Sequence, residues 1–283
     1  MFRVKKALNN NTVIAIGDGD AREYLLIGKG IGFGKKVSQR IEAPKECTIY
    51  SLYEHTERGS AMDLVKGMDP IFLEIAEQVL KESERVFGKI DWNILFPLAD
   101  HIAFAVKRIQ NGEQISNPLT GDIRVLFHTE YDTAECIRPI LSQRLGVEID
   151  EHEVGYIALH IHSAIDDENV ALSMQIAGTV RECIQLVEEK TGKKIDVTSL
   201  SYNRLMNHVR YMAARAVKGE RLKLDMNDYI SSQYPDAFQL SRTVCGHLEK
   251  YLRKKMDEIE IGYLAMHIQR VIAELEEDEQ ISR

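Results

Sequence analysis

The 283-residue sequence predicts an α+β, multidomain chain: a small antiparallel β domain followed by two homologous all-α helical bundles. Three observations predict it. The first fifty residues break into short strand-like segments. After about Leu64 the apolar residues fall at helical spacing, and within that helical part a motif recurs at an offset of 107 residues.

In the β part, FRVKKAL, TVIAI and REYLLI mix β-branched, aromatic and polar residues as strands do, with turn formers between them. Asn9-Asn10-Asn11 and Gly17-Asp18-Gly19-Asp20 suit tight turns that need positive φ. Glycines at 28, 30, 32 and 34 exclude a helix there and permit close backbone approach to a ligand. The string GKGIGFGKK has neither the closing Ser/Thr of a P-loop nor the rhythm of a dinucleotide fingerprint. Residues 54–63, EHTERGSAMD, read as a linker.

In the helical part, Ile71, Ile75, Val79 and Leu80 share one helix face, as do Ile102, Ala105, Val106 and Ile109. Residues 153–161 (EVGYIALHI) and 260–268 (EIGYLAMHI) are identical at six of nine positions. The same offset carries His101 to His208, Phe104 to Tyr211, Arg108 to Arg215 and Gly112-Glu113 to Gly219-Glu220. Lys89-Ile90-Asp91 matches Lys194-Ile195-Asp196 at an offset of 105, so the second copy gains two residues in between. Three domains follow: 1–60, 64–171 and 172–283.

Charge divides along the same line. Residues 1–60 carry ten Lys/Arg against seven acids, a net of +3, which leaves −11 on the rest of a chain whose total is −8. A basic head on an acidic body suits two different tasks. No apolar run is long enough to span a membrane, and the first residues lack the apolar core of a secretory signal. The scattered cysteines at 47, 136, 183 and 245 read as reduced thiols of a cytoplasmic protein, with neither disulfides nor a zinc site.

Each helical copy holds two histidines 59 residues apart, His101 with His160 and His208 with His267. Three readings fit them: packed structural histidines, metal ligands aided by Asp100 or Glu153, and nucleophiles toward phosphorus. The pairing in both copies, kept while apolar neighbours differ, favours the third, because imidazole is largely neutral at pH 7. Asp100, Arg108 and Arg215 are then the nearby charges that can respond to a phosphoryl group; each arginine lies seven residues after its histidine, on the same face. His162, whose counterpart is Gln269, is ordinary by this measure. With no G-x-S-x-G string and no duplicated Ser or Cys, the chain does not read as an enzyme, and no cofactor is expected. In the head, Phe33 offers a stacking surface, Lys6, Lys29, Lys35 and Lys36 can meet phosphates, and Asn9 to Asn11 can read base edges.

These motifs resemble a known family. KKALNNNTVIAI followed by LIGKGIGFGKK is similar to the co-antiterminator RNA-binding domain. DHIAFAVKR with EVGYIALHIH, and NHVRYMAAR with EIGYLAMHIQ, are similar to PTS regulation domains. Together they resemble the sugar-responsive transcription antiterminators of the BglG/SacY/LicT type, and within them the glucose-type branch. The resemblance implies a homodimeric head that grips an RNA hairpin in a nascent leader transcript and so blocks a competing terminator. It implies RNA contacts at Lys6, Asn11, Gly28, Lys29, Gly30 and Phe33. It implies phosphorylation of His101, His160, His208 and His267 by a sugar-specific PTS enzyme II and the phosphocarrier HPr. Many relatives carry Gly-Arg-Gly where this chain has Gly28-Lys29-Gly30; lysine lacks arginine's bidentate fork, so the preferred hairpin differs. A DNA-binding activator with the same regulation domains is the competing reading, but residues 1–60 offer no recognition helix.

Overall fold

The computed structural model describes residues 1–281 except 21, 45, 53–54, 57–58, 61–66, 167–168, 193 and 197–198. It divides into two compact units: residues 1–117 with 127–170, and residues 118–126 with 171–283.

The head is a five-stranded antiparallel sheet in the order β4-β1-β2-β3-β5. Its strands are β1 (Phe2–Ala7), β2 (Thr12–Gly17), β3 (Glu23–Ile27), β4 (Arg40–Ile41) and β5 (Thr48–Ser51). The first three fall on the strand-patterned segments. Between Val4 and Lys6 the β1–β2 register shifts by a bulge. The inner face packs Val4, Val13, Ala15, Leu26, Ile31 and Ile41, with Phe2 edge-on to Tyr24 at 5.5 Å.

Within the stretch expected as a linker, β6 (His55–Thr56) pairs antiparallel with β7 (Gly59–Ser60). One expectation is corrected here. The turns at residues 9–11 and 17–20 do not use positive φ. Side chains do that work instead: Asn9 Oδ1 accepts from the Asn11 amide at 2.8 Å, and Asp20 Oδ1 from the Arg22 amide at 3.1 Å.

In the first unit the helices are α1 (Pro70–Phe87), α2 (Leu95–Gln110), α4 (His128–Ala134), α5 (Ile137–Leu145) and α6 (Glu151–Ile165). Asp69 caps α1 through the Ile71 amide with Pro70 in the first turn, and Asp150 caps α6 through the Glu153 amide. The head joins this bundle directly: Tyr50 of β5 meets Trp92 and Phe96 at ring distances of 5.9 and 6.2 Å.

The second unit holds α3 (Thr120–Leu126), α7 (Val170–Thr191), α8 (Leu200–Lys218), α9 (Asn227–Gln233), α10 (Pro235–Leu252) and α11 (Glu260–Ile281). Ser199 caps α8, and Gly219 ends it in the left-handed conformation. The repeat is visible in the burial of α2 and α8. Leu98, Ala99, Ile102, Ala105 and Val106 are buried in one, and Leu205, Met206, Val209, Met212 and Ala213 in the other, position for position. That stripe at three- and four-residue spacing is what makes each segment an inward-facing helix. Among the described residues no helix is long and apolar enough to cross a membrane.

Candidate regulatory histidines and nucleic-acid interface

The buried stripe fixes which way the histidines face. On α2, His101 lies one residue before buried Ile102, and its ring meets that of His160 on α6 at 5.2 Å and that of Tyr156 at 5.6 Å. On α8, His208 meets His267 on α11 at 4.6 Å with 23° between the rings, and faces Tyr263 at 6.3 Å. Each predicted pair, 59 residues apart in sequence, is thus brought into ring contact.

A glutamate organises each pair. Glu153, 2% exposed, accepts from Arg108 Nη2 at 2.5 Å and lies 3.2 Å from His101 Nε2. Glu260 accepts from Arg215 Nε at 2.6 Å and Nη2 at 2.9 Å, and lies 3.8 Å from His208 Nε2. Burial pushes the Glu153 carboxyl up, but the contacts with His101 and Arg108 outweigh it and hold the group below its ordinary value. Burial, then His267 and Arg215, bring His208 down to about 3, so its imidazole is neutral at physiological pH. His267 is lowered as well, by burial and then by Arg270 and Arg204. A neutral imidazole with a free lone pair is the nucleophilic form.

Arg108 and Arg215, expected to stand beside their histidines, are drawn into these clusters, and Arg108 also covers the exposed Phe104 ring at 4.9 Å. Asp100 is half-buried next to His101. His162, read as ordinary, is 1% exposed, with Nδ1 2.9 Å from Glu130 and its ring 4.5 Å from Phe127. Sequence reasoning placed Glu153 only as a possible metal helper and passed over Glu260. The signal was present, since glutamate opens both copies of the repeated motif. Among the described residues no group of three or more His, Cys, Asp or Glu is placed to hold a metal.

In the head, Asn11 gathers the glycine turn. Its carbonyl accepts from the Gly28 amide at 2.8 Å, and its side-chain Oδ1 from the Gly30 amide at 2.9 Å. Gly30 has φ 72°, and Phe33 then donates its amide to the Gly30 carbonyl, which leaves its ring 72% exposed. Gly32 is needed for packing, because a Cβ there would overlap the Asn9 carbonyl oxygen. Lys29 is exposed beside this turn, whereas Lys6, also exposed, sits apart on β1. The structure therefore brings Asn11, Gly28, Lys29, Gly30 and Phe33 into one turn, with Lys6 on the neighbouring strand.

A β head with a glycine turn, followed by a twice-built His–Glu–Arg cluster, defines a regulator made of a binding domain and a duplicated control domain. Family models match the head once and the helical part twice. The CAT RNA binding domain matches residues 2–58, and the PRD domain matches twice, at 73–164 and 181–271. Protein GlcT of Staphylococcus haemolyticus is 31% identical over 271 residues, covering 94% of this chain and 95% of its own. The GlcA/glcB genes antiterminator of Staphylococcus carnosus is 29% identical over 276 residues, covering 94% of each. The crystal structure of GlcT CAT-PRDI aligns with a TM-score of 0.50 at 35% identity, over 58% of this chain and 98% of that one. The chain belongs to the family of transcription antiterminators built from a CAT RNA-binding domain and two PRD domains, which are regulators and not enzymes.

Proposed function

We propose that this chain binds an RNA hairpin in a nascent leader transcript as a homodimer and prevents termination, under control of histidine phosphorylation by the sugar phosphotransferase system. The observation that carries the control reading is the repeated cluster. In both copies a histidine pair in ring contact is set beside a buried glutamate that an arginine already neutralises. A phosphoryl group on either histidine adds about −1.5 to −2 charges next to that carboxylate. The phosphoryl group and the glutamate repel each other and compete for one guanidinium, which turns a packed α2–α6 or α8–α11 contact into a two-state element.

The proposed acceptors are His101, His160, His208 and His267, and the donors are HPr and a sugar-specific enzyme II. In transfer from HPr, the unprotonated ring nitrogen of the acceptor attacks phosphorus, the P–N bond of the donor phosphohistidine breaks, and the leaving donor imidazole takes up the proton that the acceptor ring gives up. The RNA face is Lys6, Asn11, Gly28, Lys29, Gly30 and Phe33. Phe33 stacks on an unpaired base, the lysines neutralise phosphates, and the glycine turn lets the backbone approach. Resemblance to the glucose-type branch, with the named relatives, makes the operon for glucose or a related sugar transporter the proposed target.

The test is a gel-shift titration of the full-length chain, with and without prior incubation with phosphoenolpyruvate, enzyme I, HPr and enzyme II. Salt-sensitive binding to an antiterminator-type hairpin but not to DNA of matching sequence, weakened by Lys29→Ala or Phe33→Ala, is the expected result. Binding indifferent to RNA versus DNA overturns the RNA reading. Absence of label at all four histidines overturns the control reading.

A further inference from the structure

The two histidine clusters differ in one respect that the repeat itself exposes. Arg204 lies one turn before His208 on α8, and Arg270 one turn after His267 on α11, so both fall on the faces where the two rings stack at 4.6 Å. The 107-residue offset puts Pro97 and Ser163 at these places in the first domain, and Asp100 where the second has Asn207. Both arginines are exposed, and both act on the His267 ring through charge. Arg215 is already committed to Glu260 by two hydrogen bonds. The second cluster thus has two guanidinium groups, Arg204 and Arg270, at places where its twin has Pro97 and Ser163.

We propose that Arg204 and Arg270 form an anion subsite of the second domain, shaped for a phosphate dianion, which holds either free phosphate or a phosphoryl group carried by His267. The covalent form rests on the phosphoacceptor reading above; the free form does not. Guanidinium is the side chain suited to phosphoryl oxygens, since its fork donates two parallel hydrogen bonds. Full-length protein is titrated with inorganic phosphate while the His267 Cε1 proton is followed by NMR. In a second arm the protein is equilibrated with phosphorylated HPr, and the occupancy of each histidine is read by mass spectrometry. A saturable phosphate response that Arg204→Gln/Arg270→Gln abolishes is expected. The same variant should lower His267 occupancy by about three- to tenfold and leave His160 unchanged. Arg270→Lys, which keeps the charge, should restore part of the phosphate response and so separates the subsite from a folding defect. A phosphate response lost in the double variant, with no phosphoryl uptake at any histidine, would keep the subsite and sink the phosphoacceptor reading. An unchanged phosphate response in the double variant overturns the subsite.

A contact in the first unit carries a second inference independently. Asn9 Nδ2 donates to Glu74 Oε1 at 2.7 Å, and Asn11 Nδ2 to Glu74 Oε2 at 3.3 Å. Arg144 Nη2 holds the same Oε2 at 2.7 Å, and Glu74 is only 7% exposed on α1. Next to it on α1, Glu77 accepts from Thr48 of β5. We infer that Glu74 is an autoinhibitory latch: it occupies the amides of the RNA-facing turn and sets a carboxylate where an RNA phosphate would approach. This rests on reading Asn11 as an RNA contact. Full-length Glu74→Ala should bind the antiterminator hairpin about tenfold more tightly, the scale of removing one charge-assisted hydrogen bond. A scrambled hairpin should show no such gain. Equal affinity of folded Glu74→Ala and the parent overturns the latch alone. No hairpin binding by either overturns the latch and the RNA reading together.

Discussion

Arg215 and Glu260, 45 residues apart, are joined by two hydrogen bonds of 2.6 and 2.9 Å, and the carboxylate is only 3% exposed. Removing the nearly buried Glu260 leaves the Arg215 guanidinium, itself only one-fifth exposed, without its charge partner. Glu260→Leu should therefore destabilise the second unit by about 3 kcal/mol. Urea denaturation of the full chain measures it. A loss below about 0.5 kcal/mol, the size of an exposed pair, would show that the bridge is ornamental.

His208 gives the second unit a pH dependence whose sign follows from its environment. Burial, His267 and Arg215 depress its folded pKa to about 3, below the ordinary 6.5. The unfolded chain then binds the extra proton first. Stability is fully present above about pH 6.5 and is lost as pH falls toward 3. Between pH 7.5 and 5 the loss from this one group is about 2 kcal/mol. Thermal unfolding across that range should show a falling midpoint for the second unit, with a flatter slope in His208→Gln. Equal slopes in the two proteins would refute the assignment.

Local pattern, rather than long-range pairing, is what the sequence made readable. The apolar stripes of α2 and α8 could be placed because helical spacing is local, and the histidine pairs because the repeat restates them. The partners of Arg108 and Arg215 were hidden, since Glu153 and Glu260 lie a whole α-helical hairpin away in sequence. Strands β4 and β5 also escaped: Arg40–Ile41 is two residues long, and its extended state is imposed by pairing with β1. The turns at Asn9 and Asp20 were given the wrong backbone because asparagine and aspartate can close a turn with the side chain instead of with positive φ.

Gly32 belongs to the head's packing before it belongs to any ligand. Its missing Cβ makes room for the Asn9 carbonyl, and the Gly32 amide donates to the Asn10 carbonyl at 2.9 Å. Gly32→Ala should cost about 2–3 kcal/mol and abolish hairpin binding by loosening the turn that carries Phe33. Gly34→Ala makes a useful contrast. A Cβ at position 34 would meet no atom within 4 Å, although φ is 65°, so only backbone strain of about 1 kcal/mol is expected. If the two variants lose equal stability, the Asn9 contact is not what selects glycine at position 32.

The buried ring nitrogens decide which phosphohistidine isomer each site can form. His208 Nε2 faces the Glu260 carboxylate and is buried, whereas in His267 the buried nitrogen is Nδ1. With His208 Nε2 set against Glu260 and His267 Nδ1 buried, the nitrogens left to react are Nδ1 of His208 and Nε2 of His267. On the proposed phosphoacceptor reading, phosphorylated His208 should be the Nδ1 isomer and phosphorylated His267 the Nε2 isomer. Nitrogen-15 and phosphorus-31 NMR of the phosphorylated full-length chain distinguishes the two by their couplings. The first domain sets His101 Nε2 against Glu153 at 3.2 Å, so His101 should follow His208. Finding Nε2-phosphorylated His208 would mean that the His208–Glu260 contact opens before transfer. The glutamate would then act as a gate on the histidine and no longer as its fixed neighbour.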